Sequence, residues 1–165
     1  MPVVERTVEI RAPQGALFDL TQDYYLRTEW DPFVRELRFL DGATVAAPGV
    51  RVLVRAWNRL SMEVEYVTVQ RPERVAVRIT RGPFFFENFA GSWLFQRAEE
   101  DGVTRVVFRY NFRTRWSWLR PVLDPVISAA FGRDIAARVR GLKHAAEETD
   151  ILGRVGSGSQ MTGDA

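Results

Sequence analysis

Glu87 is the one carboxylate inside an aromatic run, Phe84-Phe85-Phe86-Glu87-Asn88-Phe89. In a strand from Phe84 to Gln96 with Ser92 and Gln96 outward, period-two alternation puts Phe85, Glu87, Phe89, Gly91, Trp93 and Phe95 on the inner face. A carboxyl group there is desolvated, which raises its pKa towards the range useful for general acid catalysis. A single β-bulge turns Glu87 outward instead and leaves Asn88 as the inner polar group. Arg138 is the second candidate. On the wheel of the last helix it falls close to one edge of an apolar stripe made by Leu123, Ile127, Phe131, Ile135, Leu142 and Ala146, with Val139 at the other edge. It either pairs on the surface with Asp134, one turn earlier, or faces a cavity mouth, where a guanidinium holds a carboxylate, phenolate or enolate oxygen. Tyr66 and Tyr110, on the inner faces of their strands, either supply hydroxyl partners or pack as core with locally satisfied OH groups. Glu87, Tyr110 and Arg138 are the candidate catalytic groups.

What is missing narrows the chemistry further. The chain has no cysteine and a single histidine, His144, so disulfides, iron–sulfur clusters, thiolate nucleophiles and the usual histidine and cysteine zinc sites are excluded. His144 stands beside Lys143 with Glu147 and Glu148 after it, a solvated setting near the end of a helix. No metal and no cofactor is expected, which leaves carboxylates and tyrosines as acids and bases. Twenty-three basic against 21 acidic residues give a formal charge of +2, too small an excess to argue for nucleic acid. Of the basic residues 22 are arginine, a bias that GC-rich coding explains as well as phosphate recognition does. Arg51, Arg55, Glu63, Glu65, Arg78, Arg105 and Arg109 fall on outward strand faces and read as cross-strand ion pairs. Trp57 is the one obvious aromatic among them, so no nucleic-acid partner is expected. No 18-residue apolar run exists, and Glu5, Arg6 and Glu9 interrupt the start where a signal peptide needs an apolar core. The expectation is a cytoplasmic protein with no integral membrane association, a monomer or homodimer.

The elements that must position these groups are legible in the patterning. With 165 residues, 46% hydrophobic and 12% aromatic, the chain supports one domain with one core. Residues 3 to 10 read as a strand stopped by Ala12-Pro13. Pro13 opens a short helix carrying Ala16, Leu17, Phe18 and Leu20, and a second runs from about Tyr24 to Trp30, ended by Asp31-Pro32. From Phe33 to Arg115 the period is two, with turn signals at Asp41-Gly42, Asn58-Arg59, Arg71-Pro72-Glu73, Gly82-Pro83 and Glu100-Asp101-Gly102. Alternation is clearest where Thr104, Val106, Phe108, Tyr110 and Phe112 share one face. Met62, Val64 and Tyr66 do the same in their strand, against Glu63 and Glu65. Asp124-Pro125 reads as the start of a helix to about Thr149, roughly 37 Å long at 1.5 Å per residue. Residues 153–165, with four glycines, read as a flexible tail after a domain of residues 1–152.

This order resembles the START/Bet v 1-like (SRPBCC) superfamily, and its polyketide cyclase/dehydrase branch in particular, over about residues 3 to 150. The carriers are APQGALFDLTQDYYLRTEWDPFV at 12–34, GSWLF at 91–95 followed by DGVTRVVF at 101–108, and LKHAAE at 142–147. The resemblance implies an α+β helix-grip fold: a curved seven-stranded antiparallel sheet wrapped around the long C-terminal helix, with two short helices between strands 1 and 2. It also implies a deep apolar cavity between sheet and helix. Residues expected to line or contact a ligand there are Trp30, Met62, Tyr66, Phe85, Phe89, Trp93, Phe108, Phe112, Phe131 and Ile135. Fold does not imply reaction in this superfamily. The expected function is binding of a hydrophobic or aromatic small molecule, such as a lipid, polyketide or quinone-like compound. The alternative is an aromatase/cyclase or dehydratase that uses cavity Glu, Tyr and Arg groups.

Overall fold

A computed structural model of the chain describes residues 1–157. Strand β1 (Val3–Ile10) is followed by the short helices α1 (Gln14–Gln22) and α2 (Arg27–Trp30). Then come β2 (Val34–Phe39), β3 (Arg51–Ala56), β4 (Ser61–Gln70), β5 (Arg74–Arg81), β6 (Phe86–Arg97) and β7 (Thr104–Thr114). The long helix α3 (Arg120–Glu148) closes the fold. The strands form one antiparallel sheet in the order β1-β7-β6-β5-β4-β3-β2, so each hairpin pairs in sequence and β1 returns to cover β7. The curved sheet and long helix make the helix-grip arrangement expected from the sequence.

Alternation in β7 is complete on its inner face, where Thr104, Val106, Phe108, Tyr110, Phe112 and Thr114 are all buried. On the outer face Arg105 pairs with Glu9, Arg109 with Glu5, Arg78 with Glu65 and Arg55 with Glu36, the cross-strand ladder that the outward charges prescribe. α3 turns Ile135, Val139, Leu142 and Ala146 towards the sheet. Each such large apolar side chain contributes about 1.5–3 kcal/mol when fully buried.

The long helix begins at Arg120 rather than at the expected Asp124-Pro125. Pro121 already occupies the first turn, where a missing N–H costs nothing, and Pro125 then lies inside the helix on an exposed face. Asp124 does not cap it; its carboxylate accepts a hydrogen bond from Thr114 Oγ1 at 2.9 Å and ties the helix to the end of β7. The C-terminal segment also departs from expectation. Beyond the buried Ile151 of the expected domain, Arg154 makes a two-pronged contact with Glu29, and the Gly156 N–H donates to Asp23. The first residues of the expected tail are therefore anchored on the α1–α2 segment; the rest of it lies outside the described residues.

Candidate functional site

Between the inner face of the sheet and α3 lies a cavity of about 100 Å³. Its sheet wall is built by Val52, Val64, Val75 and Val77 from β3, β4 and β5, and by Trp93 and Phe108, which stack with centroids 3.8 Å apart. Gly91 gives the Tyr110 ring room to lie against this wall, because a Cβ there would sit 3.3 Å from it. A second chamber of about 180 Å³ adjoins it towards the surface, walled by Phe85, Ile127, Ala130, Phe131 and Asp134. Phe33, Met62, Phe89 and Tyr110 line both chambers and form the partition.

One wall of the inner chamber is ionic. Asp31, 1% exposed, accepts hydrogen bonds at Oδ2 from Arg27 Nε (2.8 Å), Arg138 Nε (3.1 Å) and Arg138 Nη2 (2.9 Å). Its Oδ1 takes the Phe33 N–H at 3.1 Å. Arg138 Nη1 donates to the Tyr110 hydroxyl and Arg27 Nη1 to the Thr21 carbonyl. The planar guanidiniums are sandwiched by rings. Arg138 lies 4.6 Å from Phe108 and 4.8 Å from Phe33; Arg27 lies 4.7 Å from Trp30. Burial pushes the Asp31 carboxyl up, but the charges of Arg138 and Arg27 and the hydrogen bonds from Arg138 and Phe33 hold it below the ordinary aspartate range. Two buried cations thus share one buried anion, which leaves the cluster with one positive charge beside an apolar space.

A neutral chain lies within electrostatic reach of Arg27. The Tyr24 and Tyr66 hydroxyls are hydrogen-bonded to each other, and Tyr66 donates to Gln22 Oε1 at 2.8 Å. Tyr24 stacks on Phe39 at 4.4 Å. Burial raises the pKa of Tyr24, Tyr66 and Tyr110, so all three are neutral phenols. Tyr110 accepts from Arg138 and keeps its own proton for an acceptor in the cavity. Asp134, in the outer chamber, is also held above the ordinary range, by burial first and then by Asp31, against the pull of Arg138.

Of the sequence-predicted residues, Met62, Tyr66, Phe89, Trp93, Phe108, Tyr110 and Arg138 line the inner chamber, while Phe85 and Phe131 line the outer one with Met62, Phe89 and Tyr110. Trp30 stands behind Trp93, edge-on at 6.0 Å, and Phe112 behind Phe86 and Phe131. Ile135 is fully buried and lines neither chamber. Glu87 is a correction. A register shift between Phe86 and Asn88 turns Phe86 inward and leaves both Glu87 and Asn88 exposed, with Glu87 3.3 Å from Arg120 on the outer surface. Of the two readings of Arg138, its place in the chamber lining matches the cavity-facing one and not the surface pair with Asp134; its partner is Asp31, and it lies within the buried face of α3. His144 is exposed beside Glu148, as expected of a solvated position.

Sequence reasoning missed Arg27, Asp31, Phe33, Tyr24 and Gln22. Arg27 and Asp31 were legible as an i,i+4 pair on a four-residue helix, but the Asp-Pro step reads first as a helix stop. Among the described residues no group of three or more histidine, cysteine, aspartate or glutamate side chains is placed to hold a metal ion. No described helix is long and apolar enough to cross a membrane.

The site offers hydrogen-bond donors around an apolar inner chamber, and Asp134 is the carboxylate that lines the outer one. Known structures share this architecture at low sequence identity, which speaks to the fold alone. The protein XoxI from Bacillus cereus is similar with a TM-score of 0.73 and 13% identity, over 90% of this chain and 97% of that one. A START superfamily protein from Mycobacterium smegmatis gives 0.71 and 14%, over 88% and 97%. The major latex-like protein 151 of Panax ginseng gives the same values. No curated protein matches the sequence. The family described as polyketide cyclase/dehydrase and lipid transport matches residues 1–147, nearly the whole of the folded chain whose sheet, helix and enclosed cavity have just been described, and the protein belongs to that family.

Proposed function

We propose that the protein binds a small molecule with an apolar or aromatic body and at least one hydrogen-bond-accepting oxygen, of the lipid, polyketide or quinone kind. The body occupies the chamber between Val64, Val75, Trp93 and Phe108, and the oxygen meets Tyr110 Oη and the Arg27–Asp31–Arg138 cluster. The observation that carries this reading is the juxtaposition of an apolar chamber with one buried wall of excess positive charge. An acceptor oxygen, above all an anionic one, compensates that charge where water is scarce. The inner chamber, at about 100 Å³, is smaller than the roughly 300–1,000 Å³ of ligand sites, so a ligand of that size needs both chambers joined by rotation of Met62 and Phe89. Equilibrium titration of a hydroxynaphthoquinone into the wild type and Tyr110→Phe tests this. The reading requires one-to-one binding that the variant weakens about tenfold, the worth of one charge-assisted hydrogen bond. Equal affinity for both proteins contradicts it.

A second reading is favoured by one observation. Asp134 holds its proton more tightly than an ordinary aspartate and lines the chamber that Tyr110 also lines. A carboxylic acid so placed, with the Arg138–Tyr110 pair stabilising an enolate, is the equipment of a cyclase or dehydratase. Under that reading Asp134→Asn abolishes turnover of an aromatic polyketide-like substrate while preserving its binding.

A further inference from the structure

The first half of α3 shows solvent a face without charge. Trp118, Val122 and Val126 recur at intervals of four from the 3-10 turn Ser117–Leu119 into the helix and are 76%, 66% and 62% exposed. Pro121, Pro125, Ala129 and Ala130 complete that face, and all are exposed. The charged residues of this stretch turn elsewhere: Arg120 to the Thr114 carbonyl and Glu87, Asp124 to Thr114. Further exposed apolar side chains flank it. Phe84, 71% exposed on the β5–β6 loop, packs against Trp116 with centroids 5.8 Å apart, and Trp57 and Leu60 on the β3–β4 turn are 55% and 44% exposed. These three segments ring the outer chamber, whose lining includes Leu60, Pro83, Phe85, Ile127 and Ala130. Large exposed apolar side chains gathered around one chamber mark a candidate interaction surface.

Its charge names the partner. Segments 57–60, 81–87 and 115–134 contain five arginines, Arg59, Arg81, Arg115, Arg120 and Arg133, against three acids: Glu87, paired with Arg120, Asp124, bonded to Thr114, and Asp134 in the chamber wall. A second copy meeting this face symmetrically sets arginines against arginines, which disfavours self-association. An anionic bilayer satisfies both features at once, taking tryptophan, phenylalanine and valine into its interface and guanidiniums at its headgroups. We propose that the protein docks peripherally on anionic membranes through Trp118, Val122, Val126 and Phe84, which brings the mouth of the outer chamber to the lipid surface. The docking is separable from the cavity's occupant, because vesicle binding is read without any ligand.

The test is co-sedimentation of the full-length protein with vesicles of phosphatidylcholine alone and of phosphatidylcholine mixed with phosphatidylserine. The proposal requires binding to the mixed vesicles that exceeds binding to the neutral ones and falls as salt is raised. Trp118→Ala weakens it about tenfold or more, the worth of one aromatic side chain withdrawn from water. Arg133→Gln weakens it about fivefold. Both side chains are exposed, so unchanged melting temperatures show that the losses are not failures to fold. Equal binding to both vesicle types, or variants that bind as the wild type does, overturns the proposal. So does a dimer that Val122→Asp dissociates, which assigns the face to a second copy.

Discussion

Arg138 Nη2 lies 2.9 Å from Asp31 Oδ2, an ion pair that joins residues 107 positions apart and fastens the middle of α3 to the end of α2. Both side chains are buried, and the same oxygen holds Arg27 at 2.8 Å. Removing the shared anion strands two cations. Asp31→Asn is therefore expected to lower stability by about 3–5 kcal/mol, the usual cost of breaking a buried pair from one side. Denaturant unfolding of the two proteins measures it.

The same carboxyl fixes an acid limit. Its pKa in the folded chain is depressed, so its contribution is fully present above the ordinary aspartate value of about 3.9 and is lost as pH falls through the lower folded value. The difference in stability between wild type and Asp31→Asn should be constant near neutrality and shrink below about pH 4. A difference that instead grows on acidification contradicts the depressed pKa.

Gly141 permits the contact between α3 and α2. A Cβ at this position would stand 2.2 Å from the Trp30 carbonyl oxygen, a backbone atom that cannot swing aside. Gly141→Ala should cost about 1–3 kcal/mol by overpacking, although alanine is the better helix former. A thermal melt reads the sign directly, and a stabilised variant refutes the packing.

The C-terminal anchor divides unequally between its two contacts. Ile151→Ala should cost about 2–5 kcal/mol, because its side chain is 2% exposed in the core. Arg154→Ala removes a solvent-exposed pair with Glu29 and should leave the melting temperature within experimental scatter. Comparable losses in the two variants contradict this division.

The fold was legible because its signals are local. Strict alternation from Thr104 to Phe112, turns at Asp41-Gly42 and Asp101-Gly102, and the prolines after β1 and α2 each act within a few residues. The site was legible only where local parity holds: Tyr66, Trp93, Phe108 and Tyr110 line the cavity as the alternation requires. Glu87 shows how parity fails. One extra residue at the Phe86/Asn88 register shift turns Phe86 inward and Glu87 outward, and no residue type announces that shift. The Asp31–Arg138 pair was illegible for another reason, since helical periodicity ranks Arg138 only against its own helix and offers Asp134 first. Its true partner depends on how α2 and α3 pack.

The central claim is that the space around Gly91 holds a ligand. Native mass spectrometry of freshly purified wild type and Gly91→Leu, each checked for an unchanged melting profile, tests it most directly, because Gly91 lines the inner chamber and a leucine there, whose Cβ starts 3.3 Å from the Tyr110 ring, takes up chamber volume. The wild type is predicted to carry, or to take up from added hydroxynaphthoquinone, one apolar oxygen-bearing molecule per chain, and the variant none. A wild type that retains and takes up nothing, or a variant loaded to the same extent, would contradict the account.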